Sequence, residues 1–313
     1  MNYSVVITNW NGADVLKKNI PKVAAAVSDA LELIVVDDCS TDDSVKVLQD
    51  LAKEFKNLKI IKKEKNEGFS STTNLGVKSA RGDLVLLLNS DVIPRPGFLK
   101  PVWPLFQNEK LFAVGLHDKS FEKDGRIVSR GRGVGKFIRG YLMHRPGKIT
   151  SGPSLWASCG SGVFRRDLWL KIGGLDTIYN PAYGEDWDLG YRAWKKGFEI
   201  LFEEKAVVEH RHEEGALRKR YSPFYRRSIT FRNQNIFIIK NIGDPKFILS
   251  YLLFLPYHLV YQAVKHSDSA FWYGYLLFLI KILTIKRPEF IKTDAEIINI
   301  FSPEFEMKNE EIF

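Results

Sequence analysis

The residues of this chain best placed to do chemistry are acids and amides that fall where apolar segments stop. Leu84-Val85-Leu86-Leu87-Leu88 runs straight into Asn89, Ser90 and Asp91. An acid with a small polar neighbour suits a hard divalent cation, magnesium or manganese. Such a cation takes oxygen ligands and needs only one or two carboxylates when substrate phosphates supply the rest. The plainer alternative is an Asx-type turn ahead of Pro94 and Pro96. Farther along, Glu185, Asp186 and Asp188 crowd the start of a helical pattern that Gly197 closes. The helix macrodipole favours acid in a first turn, but that preference does not by itself account for three acids in so short a space. His210 follows another strand-like segment and is placed to complete the coordination of a cation held by Asp91; a packed or surface histidine is the alternative.

These groups need a frame. Residues 84–88 are too few for an ordinary helix and read as a strand buried on both faces. Residues 3–8, 31–36 and 58–62 read as three earlier strands, with helices at 14–28, 44–55 and 70–80 between them. Asp14 and the run 41–44 are expected to cap the first two helices, and Pro21 to shift or kink the first. The alternation argues an α/β fold with a mostly parallel sheet and right-handed crossovers. Each strand is followed by polar residues: Thr8 and Asn9, Asp37 and Asp38, Asn66, then Asn89 to Asp91. In a parallel sheet all four groups fall on one edge, where open α/β folds bind ligands. Carboxylates there can accept from a base N–H or a ribose hydroxyl; helix capping is the plainer use. No Gly-x-Gly-x-x-Gly follows the first strand and no P-loop is present, so phosphates need another holder, and Asp91 with a cation is the candidate.

The chain has 313 residues, of which 45% are hydrophobic and 27% charged, enough for a large core. Its net charge of +9 points to an anionic partner without choosing among nucleotide, nucleic acid and acidic lipid. Cys39 and Cys159 are the only cysteines, which argues against a disulfide framework or a thiolate metal site. Cys159 reads as packing rather than as a nucleophile. The start lacks the basic and apolar regions of a signal peptide, so a cytoplasmic domain is expected.

Val35-Val36-Asp37-Asp38-Cys39-Ser40-Thr41-Asp42, Asn66-Glu67-Gly68-Phe69, Asn74-x-Gly76, Ala80-Arg81-Gly82-Asp83 and Leu88-Asn89-Ser90-Asp91 occur in this order. Together they resemble the family 2 glycosyltransferases with the GT-A fold, a Rossmann-like sheet flanked by helices; a rhamnosyltransferase-like bacterial subgroup is among the possibilities. The resemblance covers about residues 3–97 and continues in Ser158 to Arg166 and Gly173-Gly174-Leu175-Asp176. It implies inverting transfer of a sugar from a nucleotide diphosphate, UDP- or dTDP-linked. It further implies that Thr8, Asn9, Asp37 and Asp38 meet the nucleoside and that Asn66, Asn89 and Ser90 line its site. Asp91 stands where the family has the second acid of its Asp-x-Asp pair, and Asn89 departs from that pair at the first. The family's Glu-Asp pair matches Glu185 and Asp186, which makes Asp186 the base and Glu185 an acceptor-orienting group. Some relatives carry a histidine near the place of His210.

The remainder is read more coarsely. Residues 97–106 are expected to form a short helix, 112–116 a strand, and 118–150 a basic irregular loop or flap. Residues 199–202 and 206–209 read as two strands. Arg218, Lys219, Arg220, Arg226, Arg227 and Arg232 form a solvated face or a contact to the leaving diphosphate. Residues 247–264 and 269–280 are two apolar runs flanked by lysines and rich in Tyr and Trp. They are expected to lie in or on the inner face of the cell membrane as a hairpin; packing on the catalytic domain, a dimer interface and a true span are the alternatives. The expected division is a catalytic domain at 1–240, with a nucleotide half at 1–97 and an acceptor half at 98–240, and a helical appendage at 241–313. The acceptor is then a glycan or a lipid-linked sugar of surface polysaccharide synthesis. Nucleic acid is not an expected partner. A non-catalytic nucleotide-sugar binding protein is the alternative, motivated by Asn89.

Overall fold

In the computed structural model, residues 2–122, 124–211, 220–265 and 269–306 are described. The strands β1 (Tyr3–Asn9), β2 (Glu32–Asp37), β3 (Leu58–Lys62) and β4 (Leu84–Asn89) alternate with the helices α1 (Ala13–Ala26), α2 (Ser44–Glu54) and α3 (Phe69–Ser79). They run parallel in the order β3-β2-β1-β4. Consecutive side chains of a strand point to opposite faces, so both faces of this sheet must be covered. Leu84, Leu86 and Leu88 join Val5, Ile7, Leu33 and Val35 on the α1 side, against Leu16, Ile20 and Val23. Val85 and Leu87 join Val6, Ile34 and Val36 on the α3 side, against Val77. The register sets Asn9 beside Asp37 and Thr8 beside Asn89. The polar groups that follow the strands therefore share one edge.

The second half extends the sheet with β5 (Val92–Pro94), β6 (Leu111–Phe121), β7 (Ile127–Arg130), β10 (Gly152–Pro153), β11 (Ser161–Arg165) and β12 (Glu199–Arg211). Antiparallel β11 sits between β4 and β6, and β12 runs parallel to β6 while pairing with β5 and β10. The basic stretch expected to be irregular is instead largely β-structure. β6 continues to Phe121, β7 folds back on it, and β8 (Gly133–Ile138) and β9 (Tyr141–Pro146) form a separate hairpin. Arg139 and Gly140 both have positive φ, 46° and 87°, the two-residue turn whose twist suits a hairpin. Arg-Gly is a weaker signal for it than Asn-Gly. The expected helix at 97–106 is reduced to a 3-10 segment, Trp103–Gln107. The two strands expected after residue 199 are one, β12, with its register shifted between Glu203 and Val207.

Helices α4 (Arg166–Ile172), α5 (Glu185–Lys195), α6 (Pro223–Asn241), α7 (Pro245–Lys265), α8 (Ser269–Lys281) and α9 (Asp294–Phe301) complete the fold. Gly274 of α8 lies so close to α6 that a Cβ there would collide with the Ser228 carbonyl. α9 places Ile297, Ile298 and Phe301 in the core that also holds Trp194. Its Asp294 accepts from Tyr191 at 2.6 Å and Lys195 at 2.9 Å. Arg218 and Lys219 of the basic run lie outside the described residues.

Candidate active site

The nucleotide-side edge is preorganised by its own acids. Asp37, fully buried, accepts from the Ser40 hydroxyl at 2.6 Å, the Ser40 N–H at 2.9 Å and the Asn9 amide at 2.8 Å. Asp38 pairs with Lys63 at 2.7 Å and accepts from the N–H groups of Glu67 and Gly68 at 3.0 and 2.8 Å. Both carboxylates thus fix the loops after β2 and β3. Asn66 donates to the Asp38 carbonyl at 3.1 Å and accepts from Arg220 at 3.2 Å. The Arg220 guanidinium also lies 4.9 Å from the centre of the Trp10 ring, so one arginine bridges the loops after β1 and β3. Thr8 is partly exposed at this edge, and the buried Asn9 Oδ1 has no partner. Asn89 packs against Gly160, where a Cβ would approach its amide to 2.5 Å. The small residue is what lets β11 come that close. The Ser90 carbonyl is held by Asn19 at 2.9 Å.

Asp91 and His210 meet. β5 and β12 pair across His210 and Val92, one residue past Asp91, and His210 Nε2 lies 3.1 Å from Asp91 Oδ1. The other ring nitrogen, Nδ1, is 2.8 Å from Asp118 Oδ2 on β6. Burial opposes a charge on the imidazole, but hydrogen bonds to Asp118 and Asp91 outweigh it and raise the pKa to about 9. Among the described residues no three His, Cys, Asp or Glu side chains stand in a ready-made metal cage. Once the Nε2 proton is given up, as binding to a metal requires, the donor set fits a divalent cation completed by phosphate: one carboxylate, one imidazole nitrogen facing it, and a second carboxylate fixing the ring from behind. A carboxylate behind a ligating histidine sets its tautomer and raises its basicity. Asp118→Asn is expected to weaken Mn²⁺ affinity by roughly 10–100-fold. Free Mn²⁺ measured by EPR, with a nucleoside diphosphate present, reads this directly; unchanged affinity removes Asp118 from the site.

The second acidic group lies on α5. Gly184 precedes it with φ of 104°, a backbone that favours glycine. Asn233 of α6 donates to the carbonyls of Ala182 and Tyr183 at 2.9 and 2.5 Å and so pins the entry to the helix. Tyr183 has φ of 67°, and an uncommon backbone at such a position accompanies binding sites. Glu185 Oε2 and Asp186 Oδ1 are sheltered from solvent without a hydrogen-bond partner. Burial raises the Asp186 pKa to about 6, against the pull of the Cys159 thiol and N–H. Burial and then the charge of Asp186 raise Glu185 to about 8. Burial thus pushes both carboxyls up, and the two titrate as a pair. Cys159 is buried, and burial pushes its thiol well above the usual range, the opposite of what a nucleophile needs. Asp188 faces inward and is structural: it accepts from Tyr179, Arg192, Lys240 and Asn241 at 2.8, 2.7, 3.0 and 2.7 Å.

One cleft of about 670 Å³ is lined by Asp118, His210, Glu185 and Asp186; Asp91 is not among its lining residues and adjoins it through His210. Trp156, Trp187 and His144 form an aromatic wall, the His144 ring stacked 4.5 Å from Trp187. Thr230 and Gln234 of α6 face the same space. These residues were not foreseen from the sequence, nor was Asp118. The signal for Asp118 was the apolar run 111–116 ending in a polar pair, the pattern that singled out Asp91. Arg232, expected in a solvated or phosphate-binding face, is buried and donates to the Tyr179 and Asn180 carbonyls at 3.0 and 2.7 Å. Its charge fixes the loop before α5.

Residues 4–170 match the family described as glycosyl transferase family 2. An uncharacterized glycosyltransferase of Nostoc sp. is 31% identical over 180 residues, covering 57% of this chain and 55% of its own. A dolichol-phosphate mannosyltransferase of Pyrococcus furiosus is 26% identical over 132 residues, covering 41% of this chain and 35% of its own. The chain spans about half the length of the curated relatives it matches, 44% and 55% for two of them. Among solved structures, GalNAc-T7 with UDP, GalNAc and Mn²⁺ superposes with a TM-score of 0.64 at 16% identity, over 91% of this chain and 57% of that one. S. aureus TarS 1–349 with UDP-GlcNAc gives 0.59 at 16% identity, over 89% and 81%. A Pyrobaculum calidifontis mannosyltransferase with GDP-Man and Mn²⁺ gives 0.56 at 14% identity, over 96% and 79%. These likenesses establish the GT-A fold.

Proposed function

The chain belongs to glycosyltransferase family 2, and from that premise we propose that it transfers a sugar, with inversion, from a nucleotide-diphosphate sugar to a glycan or lipid-linked acceptor of surface polysaccharide synthesis. The observation that carries the reading is the cleft that brings His210, with Asp91 against it, and Asp186 to one space. Thr8, Asn9, Asp37, Asp38, Asn66, Asn89 and Ser90 form the nucleotide side, with UDP or dTDP as the nucleotide. Asp37 and Asp38 act there largely through the loops they hold. Asp91 and His210 would hold Mg²⁺ or Mn²⁺, which when bound supplies positive charge to the diphosphate oxygens.

Asp186 takes the proton of the acceptor hydroxyl as that oxygen bonds to the anomeric carbon. The bond from the anomeric carbon to the phosphate oxygen breaks, its electron pair leaves with the nucleoside diphosphate, and attack from the opposite face inverts the centre. Glu185 orients the acceptor beside it. The inner face of the cell membrane is the matching place of work, with residues 241–313 as the region of peripheral contact. That soluble nucleotide sugars and lipid-linked acceptors meet at such a surface favours it.

The base works only when ionised, so its raised pKa sets an acid limb. The kcat/KM for acceptor is expected to fall as pH drops through about 6, a value that belongs to the coupled carboxylates together. Glu185→Gln removes one member of the pair and should keep an acid limb, now set by Asp186 alone. Release of nucleoside diphosphate from a panel of donors, followed from pH 5 to 8, tests both statements. A profile flat across this range contradicts the assignment of Asp186.

A further inference from the structure

We propose that α7 and α8 form a single-leaflet docking face for an anionic lipid bilayer, built onto the elements that wall the acceptor side of the cleft. The inference deepens the proposed function and rests on it only for the identity of the acceptor. Leu249, Leu252, Leu253 and Val260 of α7 are 56%, 56%, 67% and 62% exposed. Their spacing, with Pro256 between, gives one helix face. On α8 and just beyond it, Trp272, Tyr273, Leu276, Leu279, Ile280 and Leu283 are also exposed at helical spacing, Ile280 at 76% and Leu283 at 96%. The two helices are in contact. So many large apolar side chains exposed on two touching helices are unusual on a protein that meets only water.

Its edge chooses the occupant. Lys246, Lys286 and Arg287 are exposed at the ends of these segments, and Lys265 and Lys281 also flank them; with Asp244, Asp268 and Glu289 the ends carry five basic residues against three acids, and neither segment holds an acid within it. Apolar side chains flanked by Tyr, Trp and basic residues match the boundary between acyl chains and anionic headgroups. A second copy of this chain would bring the same basic edge against itself.

The opposite faces of the two helices exclude a span. Tyr251 of α7 packs edge-on against Tyr141 of β9, with ring centres 5.6 Å apart, and donates to Asn235 of α6 at 2.8 Å. His258 bonds the Arg139 carbonyl at 2.7 Å, at the turn of the β8–β9 hairpin. Phe271 of α8 meets Phe231 of α6. Among the described residues no helix is long and apolar enough to cross a membrane. The helices therefore lie along the bilayer rather than through it.

The consequence for substrate follows from which elements they rest on. β9 contributes His144, Arg145 and Pro146 to the cleft, and α6 contributes Thr230, Asn233 and Gln234. The docking face is thus fixed to the walls around Glu185 and Asp186. An acceptor carried by a lipid headgroup reaches the base without leaving the membrane surface.

Flotation of the full chain with phosphatidylcholine vesicles, with and without phosphatidylglycerol, tests the docking face without any catalytic readout. Binding to the anionic vesicles is expected, and weak binding to the neutral ones. Loss of each basic residue, as in Lys246→Gln or Lys286→Gln, should weaken anionic binding by about fivefold. Leu253→Glu and Leu283→Glu should abolish flotation while unfolding cooperatively like wild type, since both side chains are exposed. Leu→Glu variants that float as well as wild type overturn the proposal. So does a wild-type chain that ignores both vesicles, or one that is dimeric in solution and becomes monomeric in Leu253→Glu. The acceptor arm is separate: anionic vesicles should raise transfer to a lipid-linked sugar and leave transfer to its water-soluble headgroup unchanged. Flotation without that stimulation keeps the docking face and removes the lipid-borne acceptor.

Discussion

Asp186→Asn is expected to lower kcat by about 10²–10⁴-fold, the usual contribution of a positioned base, with the affinity for nucleoside diphosphate unchanged. The substitution is close to isosteric. An amide oxygen at this place can still accept from the N–H of Cys159, which meets the carboxylate now. What disappears is the ability to take a proton. Because the base acts only as the acceptor oxygen attacks, kcat and kcat/KM should fall together. Asp186 sits on α5 and the nucleotide edge on β1, β2 and β4, so calorimetric binding of UDP or dTDP with Mn²⁺ should not change. A variant that transfers sugar at the wild-type rate removes the assignment. A wild type that binds nucleotide sugars but never turns them over favours the non-catalytic reading that Asn89 first raised.

Asp188→Ala is expected to act in the opposite way, on folding rather than on chemistry. Two positions along the same helix, this carboxylate is fully buried and bonded by Tyr179, Arg192, Lys240 and Asn241. Burial by itself raises its pKa, but the charges of Arg192 and Lys240 and these bonds bring it down to about 2. Removing it leaves two buried cations with fewer partners, although Lys240 keeps Asp176 at 2.6 Å. Loss of one member of a buried pair costs about 3–5 kcal/mol. In a chain of this size that is a fall in Tm of roughly 5–15 °C. The sign with pH follows from a lowered folded-state value. The stabilisation is present above about 4, the ordinary range of an aspartate, and is lost as pH falls toward 2. Asp186, whose pKa is raised, should show no such loss of stability when neutralised. Calorimetric unfolding of both variants separates the roles, and equal Tm values for Asp188→Ala and wild type would falsify the structural one.

Much of this arrangement was legible in the sequence, for identifiable reasons. The strands at 31–36 and 84–88 are short apolar runs ended by acids and amides, and a parallel sheet must place such ends on one edge. That logic puts Asp37, Asp38 and Asp91 at the edge from their spacing alone, and residues 4–170 match the family those motifs resemble. It did not show that Asp37 and Asp38 would be largely occupied by Ser40, Asn9, Lys63 and the Glu67–Gly68 backbone, because hydrogen-bond partners remote in sequence leave no periodic trace. The β8–β9 hairpin was missed because an Arg-Gly turn lacks the usual hairpin residues. Asp118 was missed because the strand β6 was expected to stop at Leu116, two residues short of it. The buried Arg232 shows the limit from the other side. In sequence it is one more cation in a basic run, and only the loop carbonyls packed against it reveal its task.

The account stands or falls on one cleft serving both a nucleotide diphosphate and an acceptor base. A crystal structure with Mn²⁺ and an unreactive nucleotide-sugar analogue tests this most directly, using the anomalous signal of manganese. The expected result is a single strong peak within coordination distance of Asp91 and His210 Nε2, the diphosphate upon it, and the anomeric carbon facing Asp186. A peak elsewhere, or a sugar directed away from Glu185 and Asp186, contradicts it.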